Sequence, residues 1–364
     1  MKKTLLAAAL LAGFAGVAQA QSSVTLYGIV DVGVGAKKVE GQSTAYGMQS
    51  GVQSGSRWGM RGTEDLGNGL RANFQLESGF NVGNGTSQQG GRLFGRAAWG
   101  GLSGNWGEVR LGRQVTASSD FFAFTDPFGT GFQQAGAGSS FNGNSTNRAD
   151  NTIAYLSPDV GGFRVAAGYS FNYDGGAATT DNSNRLVSAA VKWANGPFGI
   201  AGTYERAYLG DATAWNAAQG GNDPYNFQVG GTWDFNVVKA YAAYSRMKHG
   251  YTNIGQGDAF TGTGFIANTG TIRNFPDGKV NAYLVGLSVP LGQASVFGSW
   301  QRTDPKGGTF DAIDAAKQNI YSVGATYDLS KRTNLYAYYS YADKAWYDRN
   351  FDAQQYAVGL RHRF

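Results

Sequence analysis

Residues 57–77, RWGMRGTEDLGNGLRANFQLE, decide how the rest of the chain is read. Side chains alternate faces along an extended strand. Here Trp58 and Met60 alternate with Arg57 and Arg61 before the turn TEDLGNG. After it, Leu70, Ala72, Phe74 and Leu76 alternate with Arg71, Asn73, Gln75 and Glu77. Two runs, each greasy on one face and polar on the other, joined by a short Gly/Asn turn, read as a β-hairpin.

The same alternation extends in both directions. Upstream, Val24, Leu26, Val30 and Val32 share one face and Asp31 sits on the other. Downstream, short turns recur at SGNWGE, SPDVGG and ANGPFG, and near 234–237, 290–293 and 328–333. Longer polar segments lie near 35–55, 80–91, 114–147, 174–184, 209–224, 249–278, 304–317 and 343–351. Eight long and seven short connections separate sixteen strands.

Composition narrows the class. The chain has 56 Gly, 20 Tyr and 22 Phe in 364 residues, and glycine is about twice its average usage of roughly 7%. It has no cysteine, so no disulfide or thiolate metal site holds it together. Lys2 and Lys3, an apolar stretch from Thr4 to Val17 and the small-x-small site Ala18-Gln19-Ala20 read as an export leader over 1–20. The mature domain is then 21–364, starting at Gln21. Losing the two lysines lowers the formal charge from +5 to +3, with no basic block suited to nucleic acid. No later apolar run reaches helix-spanning length.

The apolar face repeatedly ends in an aromatic residue: Trp99, Trp193, Trp233, Trp300, Tyr327, Tyr339, Tyr341, Tyr356. Such girdles are expected where a barrel crosses the membrane interfaces. The opposite face is too polar for a dry core, and a water-filled lumen removes that difficulty. The expectation is an all-β protein, a 16-stranded antiparallel transmembrane β-barrel wide enough to hold a channel.

One segment interrupts the pattern. Residues 114–147, QVTASSDFFAFTDPFGTGFQQAGAGSSFNGNSTN, lie between Arg113 and Arg148. Loops of this length are usually functional or disordered. Phe121, Phe122, Phe124, Phe128 and Phe132 argue against disorder. The segment reads as a loop folded against something.

The motifs SSVTLYGIVD, SRWGMRGTEDLGNGL, WGEVRLGRQ and the ending YAVGLRHRF together resemble the general trimeric porins of Gram-negative bacteria, in particular their betaproteobacterial branch. Asp-Pro-Phe-Gly at 126–129 is similar to an element of the constriction loop in enterobacterial members. The resemblance covers the whole length. It implies sixteen strands, a homotrimer in the outer membrane among lipid and lipopolysaccharide, and a third external loop, here 114–147, folded into the lumen. It also implies that Phe364 is a signal read by the outer-membrane assembly machinery.

Alternation puts Arg57, Arg96 and Arg148 on polar faces, and the resemblance places them at the family's constriction. Asp120 and Asp126 on the loop would face this wall with opposite sign. Arg71, Arg92, Arg110 and Arg113 extend the basic surface or anchor the loop; Arg113 could hold its base, and Asp126 before Pro127 could shape a turn. A charged ring at a constriction selects ions by sign. The function read is passive diffusion of small hydrophilic solutes and ions, with weak anion preference. A channel selective for one anion or sugar and a structural or adhesive outer-membrane protein are the alternatives. His249 and His362 are the only histidines; they support no catalytic set, and no metal or cofactor site is expected.

Overall fold

The computed structural model describes residues 23–141, 147–175, 183–210, 220–252, 273–274 and 277–364. The leader and its cleavage site lie outside them, as do parts of four long connections. The strands are β1 (Ser23–Val39), β2 in two pieces (Ala45–Ser50 and Arg57–Gly67), β3 (Leu70–Gly79), β4 (Ala97–Gly104), β5 (Gly107–Val115), β6 (Arg148–Leu156), β7 (Phe163–Ser170) and β8 (Arg185–Asn195). They continue as β9 (Phe198–Tyr208), β10 (Tyr225–Asp234), β11 (Lys239–Lys248), β12 (Lys279–Leu291), β13 (Ala294–Lys306), β14 (Gln318–Asp328), β15 (Thr333–Asp343) and β16 (Ala353–Arg363). Each pairs antiparallel with its neighbour, and β1 pairs with β16 from Ile29↔Arg363 to Val39↔Ala353. Gly28 and Phe364 exchange two N–H···O bonds of 3.1 Å at the seam. The sheet is closed, so no edge is left to face lipid.

The two pieces of β2 follow from register. Ser23–Ile29 lies opposite Arg57–Thr63, and Val32–Lys37 lies opposite Ala45–Ser50. They are one strand interrupted by residues 51–56. The expected long connection at 35–55 is therefore corrected: β1 runs on to Val39, a short turn follows, and the irregular piece sits within the next strand. That piece is gripped by the buried Asp31. Its carboxylate accepts from Ser54 N–H at 2.7 Å and from the Tyr336 hydroxyl at 2.7 Å, while Ser56 Oγ donates to its main-chain oxygen.

The barrel is greasy outside and polar inside. Val24 on β1 is 67% exposed, whereas Gln301 and Ser340 on inner faces are 0% exposed. Aromatic pairs girdle the outer surface. Phe198 and Trp233 lie 4.5 Å apart beside the short turns, and Tyr244 and Tyr283 lie 5.3 Å apart near the long connections. Trp99 is an exception to the expected girdle. Its neighbour Leu102 is on the outer face, so Trp99 turns inward, and Arg110 stacks over its ring at 4.4 Å. Glycines flank it, and a cation stabilises its π-face in the lumen.

Candidate channel constriction

The third long connection lies along the inner wall. Thr116 caps its first helix, α1 (Ala117–Phe122), by accepting from Ser119 N–H. This helix packs on β8 and β9, where Ser118 N–H donates to Ser188 Oγ and Ser118 Oγ to Thr203 Oγ1, each at 2.9 Å. The chain then crosses several strands at glycines. A Cβ at Gly199 would stand 2.9 Å from Phe124, at Gly230 2.9 Å from Thr125, at Gly286 2.7 Å from Pro127, and at Gly324 3.1 Å from Phe128. Four inner-face glycines thus form a shallow track that lets the loop approach the sheet closely.

The far end is pinned more firmly. Phe128 and Phe132 pack with Val52, Phe297, Tyr336, Tyr338 and Ala357, and Phe132 N–H donates to Val52 O at 2.6 Å. Gln301 Nε2 donates to Ala135 O at 2.7 Å, and Gln134 Nε2 to Ser340 Oγ at 3.1 Å. The loop tip therefore touches the interrupted piece of β2, beside Arg57.

β2 and the segments leading into β4 and β6 assemble a basic wall. Arg96 Nε donates to Glu77 Oε1 at 2.6 Å, and Arg57 Nη1 stands 3.8 Å from the same oxygen. Arg148 Nε donates to the Arg96 main-chain oxygen at 2.9 Å. Next to these, Asp150 accepts from Arg92 at 2.6 Å and from Arg113 at 2.7 Å, and Arg113 Nε also donates to Gly95 O. Five guanidinium groups against two carboxylates leave a net charge of +3. The groups are close enough for Arg148 to feel the charges of Arg57, Arg96 and Arg113.

Each residue singled out in the sequence has a definite place. Arg57, Arg96 and Arg148 come together, although Arg96 sits just before β4 rather than on it. Arg92 and Arg113 join them through Asp150. Arg71 and Arg110 lie nearer the short turns, where Arg110 pairs with Glu108 at 2.5 Å. Asp120 is exposed on α1, and its charge acts on Lys192 of β8. Asp126 is corrected: it does not face the wall. It is 4% exposed, and its oxygens accept from the N–H groups of Phe128, Thr130 and Ala137 at 2.7–2.9 Å. Its work is to hold the loop's own turn. Sequence reading missed Glu77 and Asp150 as the counter-charges of the wall, although Glu77 was visible on the polar face of its strand. It also missed the basic group on the other side, where Lys192 lies over Phe124 at 4.2 Å and Arg164 over Phe121 at 5.6 Å.

Burial pushes the Asp126 carboxyl up to about 6, while its three N–H donors pull the other way. A raised folded-state value means that the protonated loop docks best. The stability is fully present below the ordinary carboxylate value of 3.8 and is lost as pH rises through about 6. Hydrogen exchange at the Thr130 and Ala137 amides, corrected for intrinsic rates, is expected to be about tenfold less protected at pH 7.5 than at pH 5. Asp126→Asn should flatten this dependence; an equal slope in both proteins would refute the assignment.

A closed sixteen-stranded barrel with an apolar belt, a polar lumen and a loop laid along its inner wall defines a passive aqueous channel of the outer membrane rather than an enzyme. The chain belongs to the Gram-negative porins, whose family model matches residues 7–345. An outer membrane porin of Bordetella pertussis is 46% identical over all of both chains. Outer membrane porin protein 32 of Delftia acidovorans is 36% identical, covering 92% of this chain and 88% of its own. Among solved structures, an anion-selective porin from Comamonas acidovorans superposes with a TM-score of 0.72 at 28% identity, over 94% of this chain and all of that one.

Proposed function

We propose that the channel is narrowest between the 114–147 loop and the Arg57/Arg96/Arg148 wall, and that it passes small hydrophilic solutes with a preference for anions. The observation that carries this is the net +3 of the guanidinium cluster, with Asp126 turned away and Asp120 facing Lys192. Low-dielectric walls focus such a field and raise the local concentration of the opposite charge. A neighbour of the same fold being an anion-selective porin fits the reading.

Reversal potentials in a potassium chloride gradient test it. The wild type is expected to favour chloride, and Arg148→Ala to lose about a third of that potential, since one of three net charges goes. Cation preference in the wild type, or no change in the variant, would sink the proposal. Arg148 suits this test better than Arg96, whose removal strips the buried Glu77 of its closest partner.

Three features complete the proposed biology. Residues 1–20 direct export, Phe364 serves as the signal recognised during outer-membrane assembly, and the functional unit is a homotrimer embedded among lipid and lipopolysaccharide. These rest on the leader pattern, on the outward-facing Phe364 ring over Gly28, and on the family.

A further inference from the structure

The short-turn mouth of the barrel holds a second cluster of cations. The turn after β14 carries Lys331 and Arg332, and β16 presents Arg361 and Arg363 from the adjacent lumen wall. Arg363 N–H donates to the Arg332 main-chain oxygen at 2.8 Å, which sets the two arginines side by side. A cavity of about 160 Å³ opens between them, with Ser330 and Asp328 also on its lining. Arg361 is held in place by donating to Asn334 Oδ1 and to Ser54 Oγ, each at 3.0 Å. The side-chain cations of Lys331, Arg332 and Arg363 have no partner among the described residues.

Nothing in the fold demands this crowding. The turn is already closed by its own bonds, with Leu329 N–H and Ser330 N–H donating to Thr333 O. Of the nearby acids, Asp31 is occupied by Ser54 and Tyr336, and Phe364 spends an oxygen on Gly28 N–H. Two acids, Asp31 and Asp328, act on Arg361 against the four cations. Like charges gathered without need raise the folded state's energy unless an anion joins them. The cavity has room for about five waters by liquid volume, or for one partly hydrated oxyanion.

We propose that this mouth is an anion-binding station for small multivalent oxyanions of the phosphate type, in series with the constriction. Short turns of such barrels face the periplasm, so the station acts on that side. It concentrates the ion at the channel end without closing the path, since conduction requires binding that still allows release.

The test uses the full-length protein inserted in one orientation in a bilayer of neutral lipid, with inorganic pyrophosphate as probe. Chloride current is expected to be blocked at about tenfold lower pyrophosphate from the turn side than from the loop side, the tenfold corresponding to ~1.4 kcal/mol. Lys331→Ala/Arg332→Ala should abolish that asymmetry. Both residues are exposed in a turn, and unaltered heat-resistant migration of the barrel will show that the variant is folded. Symmetrical block, or asymmetry that survives the double substitution, overturns the station. Turn-side block lost when anionic phospholipid is added to the bilayer overturns it in favour of a lipid headgroup as occupant. The station rests on the protein being a channel but not on the constriction's sign preference. Reversal potentials from the same membranes keep the two apart, because cation preference with sided block intact refutes only the constriction proposal.

Discussion

Gly286→Leu is expected to cut single-channel conductance to about half or less and to make the current noisy, because overpacking a close contact drives the displaced group elsewhere. At this position a Cβ alone would come within 2.7 Å of Pro127 and 2.9 Å of the Gly298 carbonyl oxygen. The sheet is held by ladders on both sides of β12 and yields least. The loop yields instead, and its only free direction is into the lumen. Planar-bilayer recording reads the effect. Gly202→Leu is the control, since its Cβ would have only ordinary contacts, with Val191 at 3.7 Å and the Gln228 oxygen at 4.0 Å. Equal conductance in the two variants would show that the glycine track does not seat the loop.

Phe132→Ala acts at the other end of the loop and in the opposite sense. The ring meets Phe128, Phe297, Tyr336 and Tyr338 at centroid distances of 5.4–5.8 Å and is 2% exposed. Truncating a buried Phe costs about 3–5 kcal/mol, most of what a single loop tip gains by docking. The barrel ladders do not involve this residue, so heat resistance should barely change. The tip should become cleavable by protease, and liposome swelling should admit larger sugars than the wild type does. A tip as protected as in the wild type would contradict the anchoring role.

The strands were legible because lipid and water impose opposite demands on alternate residues. Val24, Leu26, Phe74 and Tyr356 could face only one way. The turns were legible for the same reason, their Gly, Asn and Asp being incompatible with either face. Ala45–Ser50 was not, since it is flanked by Gly and Ser and its partner β1 is fixed only by pairing. Trp99 misled because a large aromatic suits both a girdle and a cation-lined lumen. The three arginines could be gathered by pattern and resemblance, yet their counter-charges could not. Glu77 meets Arg96 across a connection, and Asp150 meets Arg92 across 58 residues. Asp126 was ambiguous in the sequence: a carboxylate beside a proline looks the same whether it faces a pore or its own backbone.

The loop tip rests on pieces drawn from both sides of the seam. Val52 belongs to the interrupted second strand, while Tyr336, Tyr338 and Ala357 come from the last two strands. These surfaces become neighbours only once Gly28 and Phe364 have met and the first and last strands have paired. The socket for Phe132 is therefore incomplete in an unclosed sheet, which lacks Val52 on its far side. Full seating of the tip, with Phe132 N–H bonded to Val52 O, therefore requires the ring to be complete. A barrel arrested before closure would hold every strand of the wall but not a fully seated loop tip.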